Sequence, residues 1–220
     1  MIPCLVGVLI ISSCKKMEDV HRQFLDMGET IYVARPDSVL VRGGFQRVEL
    51  AWPVISDPKI NRYKVLWNNG RDSTEGLVQK TTGSDTVRVL LQNLIEGIQY
   101  FDIYMYDKLG HSSVKSSVPS MIYGPVYQSS LLSRTYRNIK RVGNNIEINW
   151  VPAGDDMVRT EVRYTNTSNN PVEHVISGRS NQSILENVPV LGEITYRTAF
   201  LPDSTALDVI YTPFTRINPL

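Results

Sequence analysis

Val48-Glu-Leu-Ala-Trp52 has a counterpart in Ile146-Glu-Ile-Asn-Trp150. In the first stretch Val48, Leu50 and Trp52 occupy alternate positions, and in the second Ile146, Ile148 and Trp150 do the same. Successive side chains of a strand point to opposite faces, so each stretch reads as a strand with one face in a core and a tryptophan at its end. The two tryptophans are 150 − 52 = 98 residues apart. Working outward, Arg62-Tyr-Lys-Val-Leu-Trp67 matches Arg159-Thr-Glu-Val-Arg-Tyr164 at an offset of 159 − 62 = 97, with Val65 over Val162 and Trp67 over Tyr164. The aromatic run Tyr100–Tyr106 falls near the position of Tyr196-Arg-Thr-Ala-Phe200. Three features at nearly one offset mark an internal repeat.

The remaining chain supports the same design. Short runs rich in Val, Ile, Thr, Tyr and Trp alternate with turn clusters at Asp57-Pro58, Asn68-Asn69-Gly70, Gly143-Asn144-Asn145 and Ser168-Asn169-Asn170-Pro171. Many short strands with this punctuation predict an all-β sandwich or barrel. A unit of about 97 residues, with tryptophan on an early strand and an aromatic strand later, resembles the fibronectin type III (immunoglobulin-like) sandwich, which packs two antiparallel sheets without needing a disulfide. Two such sandwiches in tandem are expected, over residues 30–122 and 123–220, with Gly124-Pro125 at the link and Tyr123 and Tyr127 beside it expected to help hold the two domains together. Val48, Leu50, Trp52, Tyr63, Val65 and Trp67 are expected in the first core, and Ile146, Ile148 and Trp150 in the second. The fold's usual tyrosine, in phase with the apolar residues that follow it, is met by Tyr196 before Thr198 and Phe200. In the first copy the residue in phase with Phe101, Ile103 and Met105 is Gln99, so Tyr100 is expected on the opposite face unless a bulge shifts the phase.

Composition sets further bounds. The chain has 220 residues, 23 Lys plus Arg against 22 Asp plus Glu, and a net charge of +1. Nucleic-acid binding needs a cationic excess that is absent, so nucleic acid is excluded as the expected partner. Two cysteines exclude a disulfide scaffold. The uncharged stretch Met1–Ile11 is too short to span a bilayer but suits the apolar region of an export signal. Ile11-Ser-Ser-Cys14, followed by Lys15 and Lys16, resembles a bacterial lipobox. That resemblance implies cleavage before Cys14, acylation of its thiol and a mature chain of 220 − 13 = 207 residues. Residues 1–13 are then a lipoprotein signal peptide, and residues 14–29 a lipid tether with a short helix, in which Val20, Phe24 and Met27 lie at helical spacing before Gly28. Lys15-Lys-Met-Glu-Asp19 loosely resembles the tag that directs such proteins to the outer face of the outer membrane.

Several stretches together resemble one family of Bacteroidota lipoproteins classed as a domain of unknown function. They are Glu29–Tyr32 before Asp37-Ser-Val39, Ile55–Pro58, Val65–Gly70, Asn93–Gly97, Tyr104–Asp107, Tyr127–Leu132 and Phe200–Asp208. Members often accompany outer-membrane glycan-uptake systems in polysaccharide-utilisation loci. The resemblance implies an outer-membrane, lipid-anchored protein whose partner is a polysaccharide or an uptake protein. It brings no catalytic residues.

Few residues of the chain stand in patterns that carry chemistry. His21, His111 and His174 are read as isolated histidines, away from metal-ligand spacing. There is no HExxH, Gly-x-Ser-x-Gly or glycine-rich phosphate loop. No cofactor, no metal centre and no enzyme activity are expected. The adjacent pair Asp155-Asp156 reads first as solvated loop, then as a Ca²⁺ ligand, and last as a carboxylate pair for a small glycoside hydrolase. The best candidate for ligand or partner contact is the outward face of the aromatic strand, where Asp102, Tyr104 and Tyr106 should lie beside Lys64. The first reading of these tyrosines is that they pack against the other domain or the N-terminal helix; the second is that they serve sugar stacking or a protein interface. The expected function is a non-catalytic binding or accessory module related to glycans. A spacer or adhesin-type subunit that contacts only proteins is the second reading.

Overall fold

The computed structural model describes residues 32–54, 58–79 and 85–217. The leader, Cys14 and the helix expected around Val20–Met27 lie outside them, as do Asp57 and His21.

Fifteen strands are present among the described residues, in two groups. The first comprises β1 (Leu40–Gly44), β2 (Arg47–Val54), β3 (Ile60–Trp67), β4 (Asp72–Leu77), β5 (Asp85–Gln92), β6 (Gly97–Asp107) and β7 (Ser116–Ile122). They form two antiparallel sheets, β1-β2-β5 and β4-β3-β6-β7. The second comprises β8 (Tyr136–Val142), β9 (Asn145–Trp150), β10 (Met157–Thr165), β11 (Pro171–Ser177), β12 (Gln182–Leu185), β13 (Ile194–Phe200), β14 (Ile210–Tyr211) and β15 (Thr215–Ile217). Its sheets are β12-β9-β8 and β11-β10-β13, with β14 and β15 both on the free edge of β13. The architecture is therefore all-β, two fibronectin type III-like sandwiches in tandem. A short helix, α1 (Pro125–Ser130), stands where the sequence suggested only a link. Proline at its first position suits helix entry, because its missing N–H would have no partner there anyway.

Each sandwich has its own core, set by the alternation from which it was read. Val48, Leu50, Trp52, Val65, Phe101, Ile103 and Met105 are buried in the first. Ile146, Ile148, Trp150, Val162, Tyr164 and Tyr196 are buried in the second. Tyr63 and Trp67 pack against the first core from partly buried positions, and Tyr63 meets Trp52 edge-on at 5.5 Å between centroids. Trp150 packs on Tyr196 at 5.5 Å and donates its indole N–H to Ser183 Oγ at 2.9 Å.

The two tyrosines lie on the faces that their phase requires. Tyr196 is buried and its hydroxyl donates to the Arg134 carbonyl at 3.0 Å, tying β13 to the chain that enters β8. Tyr100 keeps regular register opposite Pro119, with no bulge, and is 63% exposed. β14 and β15 are separated by Thr212-Pro213-Phe214. Pro213 has no N–H for the ladder, and Thr212 restores part of it: its N–H donates to Thr198 O, and its hydroxyl accepts from Thr198 N, both at 2.9 Å.

Trp52→Ala and Trp150→Ala should each cost about 3–5 kcal/mol, read by urea denaturation, with the loss confined to the sandwich that carries the substitution. Tyr196→Phe should cost about 1 kcal/mol by the same measurement. Tyr100→Phe should leave the midpoint where it was.

Candidate functional site

The strand face singled out in the sequence is assembled as a row of cross-strand neighbours. β6 buries Phe101, Ile103 and Met105 and turns Asp102, Tyr104 and Tyr106 outward, each half-buried. Tyr104 stands opposite Lys64, and Tyr106 opposite Arg62, whose guanidinium lies 4.6 Å above the Tyr106 ring. Lys64 is paired with Glu75 at 2.9 Å, and Asp102 with Lys115 at 3.3 Å. Lys64 holds the Glu75 carboxyl below its ordinary value, first through a hydrogen bond and then through its charge. Farther along the same face, Ile98 and Tyr100 are exposed. The result is an aromatic file flanked by satisfied ion pairs.

A second arrangement lies where the sandwiches meet, and it is built from the β13–β14 connection. Asp208 reaches into the β1–β2 turn. Its Oδ2 accepts the Phe45 backbone N–H at 2.7 Å and the Arg47 Nε–H at 2.9 Å. Its Oδ1 accepts from the other arm of the Arg47 guanidinium, completing a two-point clamp. Gly44 makes room for it, because a Cβ at that position would overlap Asp208 Oδ2. Beside this clamp the Leu207 N–H donates to Gly43 O at 2.8 Å, and Tyr123 donates its hydroxyl to Asp203 at 2.8 Å. Burial works to raise the Asp208 pKa. Hydrogen bonds from Arg47 and Phe45 and the Arg47 charge outweigh it, so the carboxyl lies below its ordinary value.

Helix α1 closes the opposite side of the junction. Its first N–H groups have no intrahelical partner. Glu96, from the β5–β6 loop of the first sandwich, accepts from Val126 N at 2.8 Å and from Tyr127 N at 2.6 Å. Gln128 donates its side-chain N–H to Tyr211 O at 2.9 Å. Between the clamp and the helix lies an open cleft of about 490 Å³. Its lining includes Phe45, Gln46, Arg47, Gln92, Asn93, Gln128, Asp208 and Tyr211.

Tyr211 is held by an unusual outer face on the second sandwich. Glu161, almost fully buried, bridges Arg159 at 2.8 Å and Arg197 at 2.7 Å. The Arg197 guanidinium lies 3.9 Å from the Tyr211 ring centroid and 4.9 Å from that of Phe214, and Arg163 covers Phe214 at 4.5 Å. Arg159 also hydrogen-bonds the Tyr211 hydroxyl. Burial would raise the Glu161 pKa, but its two arginines hold it below the ordinary value.

Residues 14–210 match the model of DUF4998, described as a domain of unknown function. The chain belongs to this family. A comparison with the curated proteins found no match. Among solved structures, the FN1–FN3 domains of chicken CNTN1 share 14% identity over 86% of this chain and 64% of that one, with a TM-score of 0.41. A segment of two fibronectin type III domains from chicken tenascin shares 12% over 84% of this chain and 100% of that one, at a TM-score of 0.32. The central fibronectin III array of RIM-binding protein shares 14% over 86% of this chain and 62% of that one, at 0.34. The chain thus spans less than two-thirds of the first and third of these chains.

Other sequence candidates stay apart. Asp155 and Asp156 sit exposed in the turn before β10. Among the described residues no group of three or more His, Cys, Asp and Glu side chains is placed to hold a metal ion. His174 lies on β11. The expectation of an isolated His111 needs correction: its Nδ1 is 2.7 Å from Asp107 Oδ2, while Asp107 Oδ1 accepts the backbone N–H groups of Leu109 and His111 at 2.9 Å each. This couple folds the turn between β6 and β7. Of the junction, the sequence pointed only to Tyr123 and Tyr127: Tyr123 does reach Asp203 of the second sandwich, and its ring lies 4.9 Å from that of Tyr127. The Asp208 clamp was not anticipated, and its one local cue is Gly43-Gly44 at the end of a strand, where small residues let another backbone approach.

Gly44→Ala and Asp208→Asn should both loosen the junction, the second by about 2 kcal/mol. Because the folded carboxyl titrates below its unfolded value of about 4, the Asp208 contribution is complete above that pH and is lost as pH falls through the lower folded value. Thermal melts of the wild type and Asp208→Asn should therefore differ at pH 6 and converge towards pH 2.

Proposed function

We propose that the chain is a lipid-anchored, non-catalytic binding or accessory module of the outer membrane that contacts glycan. The observation that carries this reading is the aromatic file on the outer face of β6. Tyr100 is largely exposed, and Tyr104 and Tyr106 lie half-exposed between hydrogen-bonding side chains, the pairing of ring and polar group on which sugars stack. The lipobox-like Ile11-Ser-Ser-Cys14 and the resemblance to lipoproteins of glycan-uptake loci support the same reading. Two acyl chains on Cys14 would anchor the protein stably, because each buried CH₂ contributes about 0.8 kcal/mol. A hydrolytic reading has less behind it. Glycoside hydrolysis needs two carboxyl groups about 5–10 Å apart across the scissile bond. The junction cleft presents one, Asp208, and Arg47 engages both its oxygens.

Cys14→Ser should abolish fatty-acid labelling and release the protein from membranes; persistent labelling would refute the anchor. Titration calorimetry of the chain from Lys15 onward against plant, host and microbial polysaccharides should detect binding. The combination Tyr104→Ala with Tyr106→Ala should weaken it with little change in melting temperature. Uniformly null titrations would shift the reading to a protein-contacting spacer or adhesin subunit.

A further inference from the structure

We propose that the junction cleft is a second binding site, one that takes a short stretch of a neutral, polyhydroxylated chain. This rests on the glycan reading above and adds to it a place and a charge class. The volume of about 490 Å³ lies within the ~300–1,000 Å³ range of small-molecule sites. Its polar lining is dominated by amides. Gln46, Gln92 and Asn93 are exposed there, and none of their side chains has a hydrogen-bond partner among the described residues. A carboxamide offers two donors and one acceptor in a plane, which suits adjacent hydroxyl groups that both donate and accept.

The backbone under these amides strengthens the argument. Gln46 has φ 53° and Asn93 φ 57°, both in the left-handed region. For glutamine that conformation costs about 1 kcal/mol, and glycine would adopt it freely. Both backbone groups of Gln46 are already committed: its N–H donates to Tyr123 O at 2.7 Å and its carbonyl accepts from Leu94 N at 2.9 Å. The turn therefore gains nothing from the glutamine side chain, which is left free at the cleft. Residues held in sparsely populated backbone conformations cluster at ligand and active sites.

Charge points to a neutral ligand. The cleft's cation, Arg47, and its carboxylate, Asp208, neutralise each other in a two-point pair, so neither an anion nor a cation finds an unpaired partner in the lining. Phe45 and Tyr211 supply the apolar ring surface, and Tyr211 is kept in place by Arg159 and Arg197.

The test uses the full chain in a detergent without a sugar headgroup, titrated with hexamers of β-1,4-glucan, α-1,4-glucan, β-1,4-xylan and β-1,4-mannan. A galacturonate hexamer serves as the anionic counterpart. The cleft variant combines Gln46→Gly, Gln92→Ala and Asn93→Gly. Two of its changes place glycine at positive φ, so its melting temperature should be unchanged or raised. At least one neutral hexamer should bind, and the cleft variant should lose at least about tenfold in affinity. Tyr104→Ala with Tyr106→Ala, which should weaken only what binds at the β6 face, should leave the affinity of this cleft-bound hexamer intact. If neutral hexamers bind but only the tyrosine variant weakens them, the cleft proposal fails and the glycan reading stands. Binding of the galacturonate hexamer alone would overturn the neutral class. Binding of none would overturn the cleft proposal and count against the glycan reading with it.

Discussion

One carboxylate joins the two halves of this molecule. Asp208 sits near the end of the second repeat and closes on the first hairpin of the first, more than 160 residues earlier in the chain. A hydrogen bond to a charged group contributes about 1.5–3 kcal/mol. Asp208 makes two well-formed bonds besides the second arm of the Arg47 clamp, from a mostly buried position where solvent screens it less than a surface pair. Without that contact the sandwiches would be linked by α1, the Glu96 cap and the neutral or exposed hydrogen bonds of Leu207 to Gly43 and Tyr123 to Asp203. The cleft between them is made of residues from both repeats and from the helix, so its shape depends on the clamp.

The fold was legible because its evidence is local. Alternate apolar residues and a terminal tryptophan specify a half-buried strand within five residues, and the second copy confirms the period. The same rule placed Tyr100 outward and Tyr196 inward. At the junction only Tyr123 and Tyr127, beside the link, were legible; the clamp was not, because its partners are adjacent only after both sandwiches have formed. Nothing near Asp208 in sequence distinguishes it from a solvated loop aspartate. Gly43-Gly44 hinted at a close approach but did not name the visitor. The Asp107–His111 couple was missed for a different reason. A histidine four residues after an aspartate is an ordinary spacing in a loop, and only the turn geometry brings the ring back onto the carboxylate. Of the candidate surfaces, the β6 face was found because strand alternation fixes which side each residue takes. The cleft was not, because loop residues such as Gln46 and Asn93 carry no period.

The repeats have diverged most on their outer faces. In the first, the outward row of β3 and β6 pairs charges with tyrosines that remain accessible. In the second, the equivalent row is closed over: Glu161 is buried beneath arginines that lie against Tyr211 and Phe214. Cation–ring contacts contribute about 0.5–1 kcal/mol at exposed sites and more when shielded from water. Two arginines also offset the cost of burying one carboxylate, which would otherwise be several kcal/mol. The second face is thus committed to internal packing, while the first keeps groups available for contact.

That closed face also serves the junction. Pro213 breaks the last strand into two short pieces, which alone would leave Tyr211 at the end of a two-residue ladder with β13. Such a short pairing is weak support for a side chain. Arg159 at its hydroxyl and Arg197 over its ring provide the missing restraint, and Gln128 holds its carbonyl from the helix side. Tyr211 is therefore fixed from three directions at the edge of the cleft. A strand interruption that would ordinarily loosen a sandwich here becomes the means of delivering a rigid aromatic ring, with the Asp208 loop just before it, to the boundary between the two domains.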